Sequence, residues 1–275
     1  MSTFEDRIKL SRPRLPDAAP EQPDSSAEVA APAFTNRYEV KYLVAPERLP
    51  EIYASLGKFL RRDVNGVHDG GYYVHSIYFD SPDYRFYREK TEGQLVRLKP
   101  RLRLYRTSLD GPPTGIFLEL KGRYDRIVHK RRVSTDRPLA ERLLHQTPIH
   151  PNGWAAESPV LSEFQYLSHR FQLRPCVSVL YHRTAFFGAY WPDVRMTFDR
   201  LVLCSPATGL NAASEDFVQT IPCGQTVVEL KYNDKLPRFM LNQLHSLGLQ
   251  QRSFSKYATS LERCFRGLDG GRTLR

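Results

Sequence analysis

The chain has 275 residues, with 40 Lys and Arg against 30 Asp and Glu, a formal net charge of +10, and 41% hydrophobic and 12% aromatic residues. That length gives one or two domains, and the balance of apolar to charged residues excludes a wholly disordered, collagen-like or coiled-coil chain. No apolar run approaches the roughly 20 residues of a bilayer-spanning helix, and the start lacks the apolar stretch of a secretory signal, so the sequence reads as soluble and cytoplasmic. Cys176, Cys204, Cys223 and Cys264 form no C-x-x-C pair, which points to buried thiols rather than a zinc site or a disulfide framework.

Residues 1–34, rich in Ala, Pro, Ser and Glu without a periodic apolar pattern, read as a disordered tail. Its four cations, Arg7, Lys9, Arg12 and Arg14, against six carboxylates leave it at −2, so the remainder carries +12. A cationic surplus of that kind favours a polyanionic partner. Residues 35–266 read as one domain and 267–275 as a flexible C-terminal tail.

In chain order the patterns predict a strand over 37–44, a helix over 47–60 and a strand over 72–79. Asp80 and Asp83 read as caps of a turn entering 84–90. Strands follow over 94–99 and 101–105, with Pro100 as a break between them, and over 116–121 and 127–133. Helices are predicted over 139–145 and 160–171, strands over 176–187, 195–203 and 226–232, and helices over 237–246 and 256–266. Many strands with short Gly/Pro turns and few helices imply an α+β fold: an antiparallel β-barrel with helices packed outside and at its ends.

Residues two apart share one face of a strand. Arg97, Lys99, Arg101 and Arg103 therefore face one way and Leu98, Leu102 and Leu104 the other. The pattern Glu-x-Lys recurs at Glu39/Lys41, Glu119/Lys121 and Glu229/Lys231, in each case alternating with apolar residues. Tyr181 shares a face with Arg183, and Arg195 with Thr197 and Asp199. One such strand is an ordinary half-buried strand with its polar side in water. Together they carry nine cations (Lys41, Arg97, Lys99, Arg101, Arg103, Lys121, Arg183, Arg195, Lys231) against four carboxylates (Glu39, Glu119, Asp199, Glu229), a surplus that a bound polyanion would offset.

Arginine forks suit phosphate oxygens, lysine adds a point charge, and a carboxylate among them is useful when a divalent cation bridges it to phosphate. Hard oxygen donors without nearby His or Cys favour Mg or Mn over zinc. His75 and His182 lack partners at metal-ligand spacing. No G-x-x-x-x-G-K-[ST] loop and no G-x-S-x-G elbow occurs.

Several segments, in order, carry a resemblance: Glu39-Val40-Lys41, Tyr78-Phe79-Asp80, the run from Lys99 to Arg106, Glu119-Leu120-Lys121, Tyr181-x-Arg183, Arg195-x-Thr197-Phe198-Asp199, Glu229-Leu230-Lys231 and Ser255-Lys256-Tyr257. Together, over 36 to about 262, they resemble the VTC domain, the polyphosphate polymerase branch of the triphosphate tunnel metalloenzymes, or CYTH superfamily. The resemblance implies a barrel whose interior is a triphosphate tunnel. It also implies transfer of the terminal phosphate of ATP onto phosphate or polyphosphate with release of ADP, Mn²⁺ or Mg²⁺ serving as cofactor. Carried over position by position, Arg101, Arg103, Arg183 and Arg195 would be catalytic, and Lys41, Lys121, Ser255 and Lys256 would bind phosphate with Tyr181 orienting them. Lys130 or Arg131 would supply a further cation, the run Lys130-Arg131-Arg132 leaving the register open. Glu229 would hold metal, and Glu39 and Glu119 resemble metal-binding positions of hydrolytic relatives. ATP and polyphosphate would be the partners rather than nucleic acid, and relatives with membrane-embedded partners imply a cytoplasmic domain brought to a membrane by another protein. Competing readings are a triphosphate hydrolase using the same tunnel, a non-catalytic module for polyphosphate or inositol pyrophosphates, and a nucleic-acid binder with an outward basic stripe.

Overall fold

Because side chains alternate along a strand, a sheet built from this sequence must bury its Leu/Val/Ile face and leave the Arg/Lys/Glu face for something else. The computed structural model describes residues 37–63, 70–124, 127–146, 158–211, 217–221 and 224–265. The two predicted tails and Cys223 lie outside the described residues. The elements in order are β1 (Arg37–Val44), α1 (Leu49–Leu56), β2 (Leu60–Arg62), β3 (Tyr72–Asp80), α2 (Arg85–Thr91), β4 (Val96–Arg106), β5 (Gly115–Tyr124) and β6 (Ile127–Thr135). They continue with α3 (Arg137–Leu144), α4 (Pro159–Phe171), β7 (Arg174–Gly188), β8 (Arg195–Pro206), β9 (Val218–Gln219), β10 (Thr226–Asn233), α5 (Arg238–Ser246) and α6 (Lys256–Cys264).

All ten strands form one antiparallel sheet in the order β1-β10-β8-β7-β3-β4-β5-β6, with β2 added to β7 and β9 to β8. Among the described residues no hydrogen-bonded ladder joins β1 to β6, so the expected barrel is an open curl rather than a closed cylinder. The free edge of β1 is taken instead by the segment before α6: Tyr42 bridges Gln251, and the Arg252 N–H donates to the Lys41 carbonyl at 2.8 Å. Across the remaining seam Lys121 of β5 reaches Glu39 of β1 at 3.2 Å.

The convex face is covered by helices. Leu102, Leu104, Leu118 and Leu120 pack under α3 and α4 through Leu139, Leu143, Leu161 and Phe164. Met196, Phe198, Val228 and Leu230 pack under α1 and α5 through Leu49, Ile52, Met240 and Leu244. The concave face is closed at one side by α6, whose Tyr257, Ala258 and Leu261 meet Val74, Val177, Val179, Tyr181 and Val227. Capping follows the side chains available: Asp136 and Ser158 accept from the Leu139 and Leu161 N–H groups at the starts of α3 and α4.

Two local expectations change. Pro100 does not divide β4; the β3–β4 ladder stops at Tyr78↔Arg101, one residue short of it, so its missing N–H costs no bond on that side while β5 pairs alongside. The segment after Asp83 is a helix, α2, entered through Tyr84 in the left-handed region at φ 55°. Asp80 organises that entry, accepting from the Phe86 and Tyr87 N–H groups at 2.9 and 3.0 Å and from the Tyr257 hydroxyl.

Candidate active site

Since helices cover the apolar side, the charged side of the strands lines the hollow of the curl. Its centre is Glu119 of β5, fully buried. Arg101 of β4, opposite it in register, donates Nε and Nη2 to Glu119 Oε2 at 2.8 and 2.7 Å and Nη1 to the Tyr78 hydroxyl at 3.0 Å. Arg103, one step along the same face, lies 3.7 Å from Glu119 Oε2 and donates to the hydroxyls of Tyr181 at 3.0 Å and Ser76 at 3.4 Å. Lys130 of β6 closes on the other oxygen, Oε1, at 2.6 Å. Burial alone would raise the Glu119 pKa, but the guanidinium groups of Arg101 and Arg103 and the Lys130 ammonium hold it far below the usual carboxylate range. Burial, partly opposed by Glu119, pushes Lys130 down to about 7.

A second cluster sits on β7, β8 and β10. Arg183 clamps Asp199 bidentately, Nε to Oδ1 at 2.6 Å and Nη2 to Oδ2 at 2.8 Å, and its Nη2 is 3.8 Å from Glu229. Lys256, at the first turn of α6, reaches Asp199 Oδ2 at 2.6 Å and lies 4.9 Å above the Tyr181 ring. Against the cost of burial, Arg183 and Lys256 hold Asp199 ionised below its ordinary value; for Glu229, Lys231, Lys41, Lys256 and Arg183 do the same.

The third cluster spans the seam. Glu39 meets Lys41 at 2.8 Å, Lys121 at 3.2 Å and Lys231 at 3.8 Å, and Lys231 also meets Glu229 at 3.0 Å. Burial and the neighbouring Glu229 push Glu39 up, but the three ammonium groups prevail and hold it at about 2. Lys121 pays for burial and for Lys41 and Lys231 nearby, so despite Glu39 it falls to about 8. Lys99 donates to the Ser255 hydroxyl at 3.0 Å, and that hydroxyl also caps α6 by accepting from the Ala258 N–H.

Of the residues singled out from the sequence, Lys41, Arg101, Arg103, Lys121, Lys130, Tyr181, Arg183, Ser255 and Lys256 converge on this hollow with Glu39, Glu119 and Glu229. Arg195 sits at the rim, one Nη2 on buried Asp63 at 3.0 Å. Arg131 is a correction: its parity on β6 is opposite to that of Lys130, and it points outward to Glu163 of α4. The register left open by three consecutive basic residues is thereby fixed, with Lys130 inside.

Some contributors were not singled out. Tyr78 and Ser76 hold the arginines from β3, and the buried Thr197 hydroxyl, opposite Glu229 in register, has no hydrogen-bond partner among the described residues. At the end of the hollow beyond Lys99 a cavity of about 460 Å³ is also lined by Lys90, Arg97, Arg123 and Arg252. Arg123 continues the parity of Glu119 and Lys121, a signal present in the sequence. Lys90 and Arg252 arrive from a helix end and a connecting segment, where no periodicity marks them. His75 is wholly buried on the other face, and burial together with nearby Arg106 lowers it to about 3, a neutral core histidine.

Groups of three or more His, Cys, Asp or Glu able to hold a metal are absent among the described residues. The donor set nevertheless suits a hard divalent ion in one place. Mg²⁺-like ions are held by one or two carboxylates completed by substrate phosphates, and Glu229 beside the unpartnered Thr197 hydroxyl offers such oxygens.

A curled antiparallel sheet whose enclosed face is lined with pre-oriented guanidinium and ammonium groups defines a protein that binds triphosphate or polyphosphate in a tunnel. The VTC domain profile matches residues 36–265, and the chain belongs to that family. None of the curated proteins compared matches the chain. Among solved structures, a Bacillus halodurans protein provisionally named an adenylate cyclase is 11% identical with a TM-score of 0.45, over 80% of this chain and 95% of its own. A Vibrio parahaemolyticus protein, also provisionally named an adenylate cyclase, is 11% identical with a TM-score of 0.42, over 81% of this chain and 96% of its own.

Proposed function

We propose that the protein is a metal-dependent polyphosphate polymerase that moves the γ-phosphate of ATP onto phosphate or the end of a polyphosphate chain. The observation that carries this reading is the pair of clusters in which Arg101, Arg103 and Arg183 are fixed by buried carboxylates and tyrosine hydroxyls on the face of the sheet opposite the helix-packed leucines. Phosphoryl transfer needs positioning and charge stabilisation more than protein covalent chemistry. Here the donors are already desolvated and oriented, so little reorganisation accompanies the build-up of charge on the transferred group. An acceptor phosphate oxygen bonds to the γ-phosphorus as the bond from that phosphorus to the β–γ bridging oxygen breaks, and ADP leaves with that electron pair. Arg101 and Arg103 neutralise the equatorial oxygens from one wall, Arg183 and Lys256 from the other, and Lys41 and Lys121 the chain beside the seam. Glu229 and Thr197 would hold Mn²⁺ or Mg²⁺, which when bound supplies Lewis-acid neutralisation of phosphate oxygens. Glu119 and Glu39, each engaged by three cations, serve to position those cations.

The test is incubation of purified protein with ATP and Mn²⁺, with chain length resolved on a gel beside ADP and free phosphate. Long chains and ADP are expected, and Arg103→Ala should lower their formation by about 10²-fold or more. Free phosphate without chains would replace the reading by hydrolysis, and no turnover would replace it by binding alone. No helix among the described residues is long and apolar enough to cross a membrane, and a membrane-embedded partner that receives the product belongs to the same proposal.

A further inference from the structure

The described cysteines take no part in the charged hollow, yet the fold gathers them. Cys204 of β8 is fully buried in the apolar cluster under α6, with Cys176 and Cys264 packed against the same cluster. Along α6, Tyr257, Ser260, Leu261 and Cys264 fall three and four residues apart and so share one face. The first three are buried against the sheet, and Cys264 carries that face to the end of the helix. The short strand β9 supplies the other wall. Val218 pairs with Cys204, and Thr220 just beyond donates its N–H to the Val202 carbonyl at 2.9 Å. The Thr220 and Ser260 hydroxyls lie 3.3 Å apart, and both hydrogen-bond to the Cys204 thiol. The Cys264 thiol does so as well, which puts two sulfurs from β8 and α6 in direct contact.

A thiol buried among apolar side chains is ordinarily protonated and inert. Here the hydrogen bond from Cys264 outweighs burial and, with the two hydroxyls and nearby Arg263, holds Cys204 down to about 7. The same bond, with burial, pushes Cys264 up, so near neutral pH the pair releases one proton and keeps the other between its sulfurs. Cys264 is partly exposed, which gives a small oxidant the approach that Cys204 lacks. Cys176 is engaged elsewhere: it donates to the Tyr78 carbonyl at 3.2 Å, lies 4.0 Å from the Tyr257 hydroxyl, and is pushed up by burial. We propose that Cys204 and Cys264 form an oxidative modification site, closing under peroxide to a disulfide that fastens the end of α6 to β8. One thiolate attacks an oxygen of hydrogen peroxide and the O–O bond breaks, leaving a sulfenic acid and a hydroxide that takes up a proton. The other sulfur then attacks the sulfenic sulfur, the S–S bond forms, and hydroxide leaves with the second thiol proton. Two thiols and one peroxide give one disulfide and two waters, the sulfurs losing two electrons and the peroxide gaining them. The bridge encloses β9, β10 and α5 and secures the helix whose other end carries Ser255 and Lys256. Because the sulfurs already meet, oxidation fixes α6 where it stands rather than displacing it, whatever reaction the hollow performs.

The experiment treats the reduced full-length protein with a small excess of hydrogen peroxide, followed by thiol counting, non-reducing peptide mapping, thermal melting and hydrogen–deuterium exchange. The expected product has lost two of the four thiols, yields one linked peptide pair containing Cys204 and Cys264, and returns to its starting state with dithiothreitol. Its Tm rises by roughly 4–16 °C, as for an ordinary disulfide in a domain of this size, and the α6 amides exchange more slowly. Cys264→Ser should lose both the linked peptide and the rise in Tm, whereas Cys176→Ser should keep both. Over-oxidation of Cys264 without a bridge, a bridge to Cys176 or Cys223, or a link between two molecules each overturns the pair as the site. A Cys204–Cys264 bridge that leaves the Tm and the exchange of α6 unchanged overturns the fastening of the helix.

Discussion

Removing the carboxylate at the centre of the hollow is the sharpest perturbation the molecule offers. Glu119 is fully buried and meets Arg101 at 2.7 Å and Lys130 at 2.6 Å, with Arg103 at 3.7 Å. At an effective dielectric near 20, each of the two short contacts represents about 6 kcal/mol of gross attraction, most of it offset by the desolvation of the partners. Glu119→Gln leaves those cations without the charge that compensates their burial, and such a loss costs about 3–5 kcal/mol. For a domain of this size that is a fall in Tm of roughly 6–20 °C. The internal control is Glu163→Gln, which removes the carboxylate facing Arg131 on the outer surface, where an exposed pair is worth about 0.2–1 kcal/mol. Urea titrations of both variants, read by fluorescence and circular dichroism, give the comparison directly. If the two variants lose the same stability, or Glu119→Gln melts with the wild type, Glu119 is solvated and the charged face is not the enclosed one.

Other outcomes follow from the same contacts. In the absence of ligand, Lys121 and Lys130 titrate near 8 and 7, below the ordinary lysine value of 10.5, so between these limits the unfolded chain binds protons the native chain has released. Stability therefore rises with pH through that window; a Tm that falls between pH 7 and 9 would contradict the assignment. Glu39 works in the opposite range, its contribution being present above the ordinary value of 4.5 and lost as pH drops toward about 2. Ser255→Ala removes the α6 cap and the acceptor for Lys99, with an expected cost of about 0.5–2 kcal/mol in urea titrations and weaker tripolyphosphate binding. Gly71→Ala would place a Cβ 2.3 Å from the His182 ring and 2.6 Å from the Arg183 carbonyl, beside backbone that cannot yield. A loss of about 1–3 kcal/mol is expected from such overpacking, and an unchanged Tm would refute the close approach.

The walls of the site were legible because strand parity is a local property. Arg101 and Arg103 against Leu102 and Leu104, or Glu229 against Val228 and Leu230, announce their faces within five residues. Arg131 shows the limit: in a run of three basic residues either parity gives a cation inside, and the register with β5 decides. Helix α2 was half legible: Asp80 and Asp83 mark a capped entry to 84–90, but Asp80 accepts from N–H groups six and seven residues ahead, so a turn and a helix read alike there. The outer half of the cavity was legible at Arg97, which shares the parity of Arg101, but not as a cluster. Lys90 and Arg252 join Arg97 and Arg123 only through the path of the chain, which one-dimensional periodicity does not carry. The open seam likewise depends on Gln251 and Arg252 occupying the edge that β6 would have needed.

The placement of α6 bears on how the molecule comes into being. The helix that seals the concave side, and brings Ser255 and Lys256 to the arginines, is the final described element of the chain, whereas every sheet strand precedes it. During synthesis the strands can pair while Val74, Val179 and Tyr181 still face water, and the anion-competent interior is finished only when the last turn emerges. A nascent chain stalled before Lys256 would display its greasy inner lining to chaperones instead of to substrate.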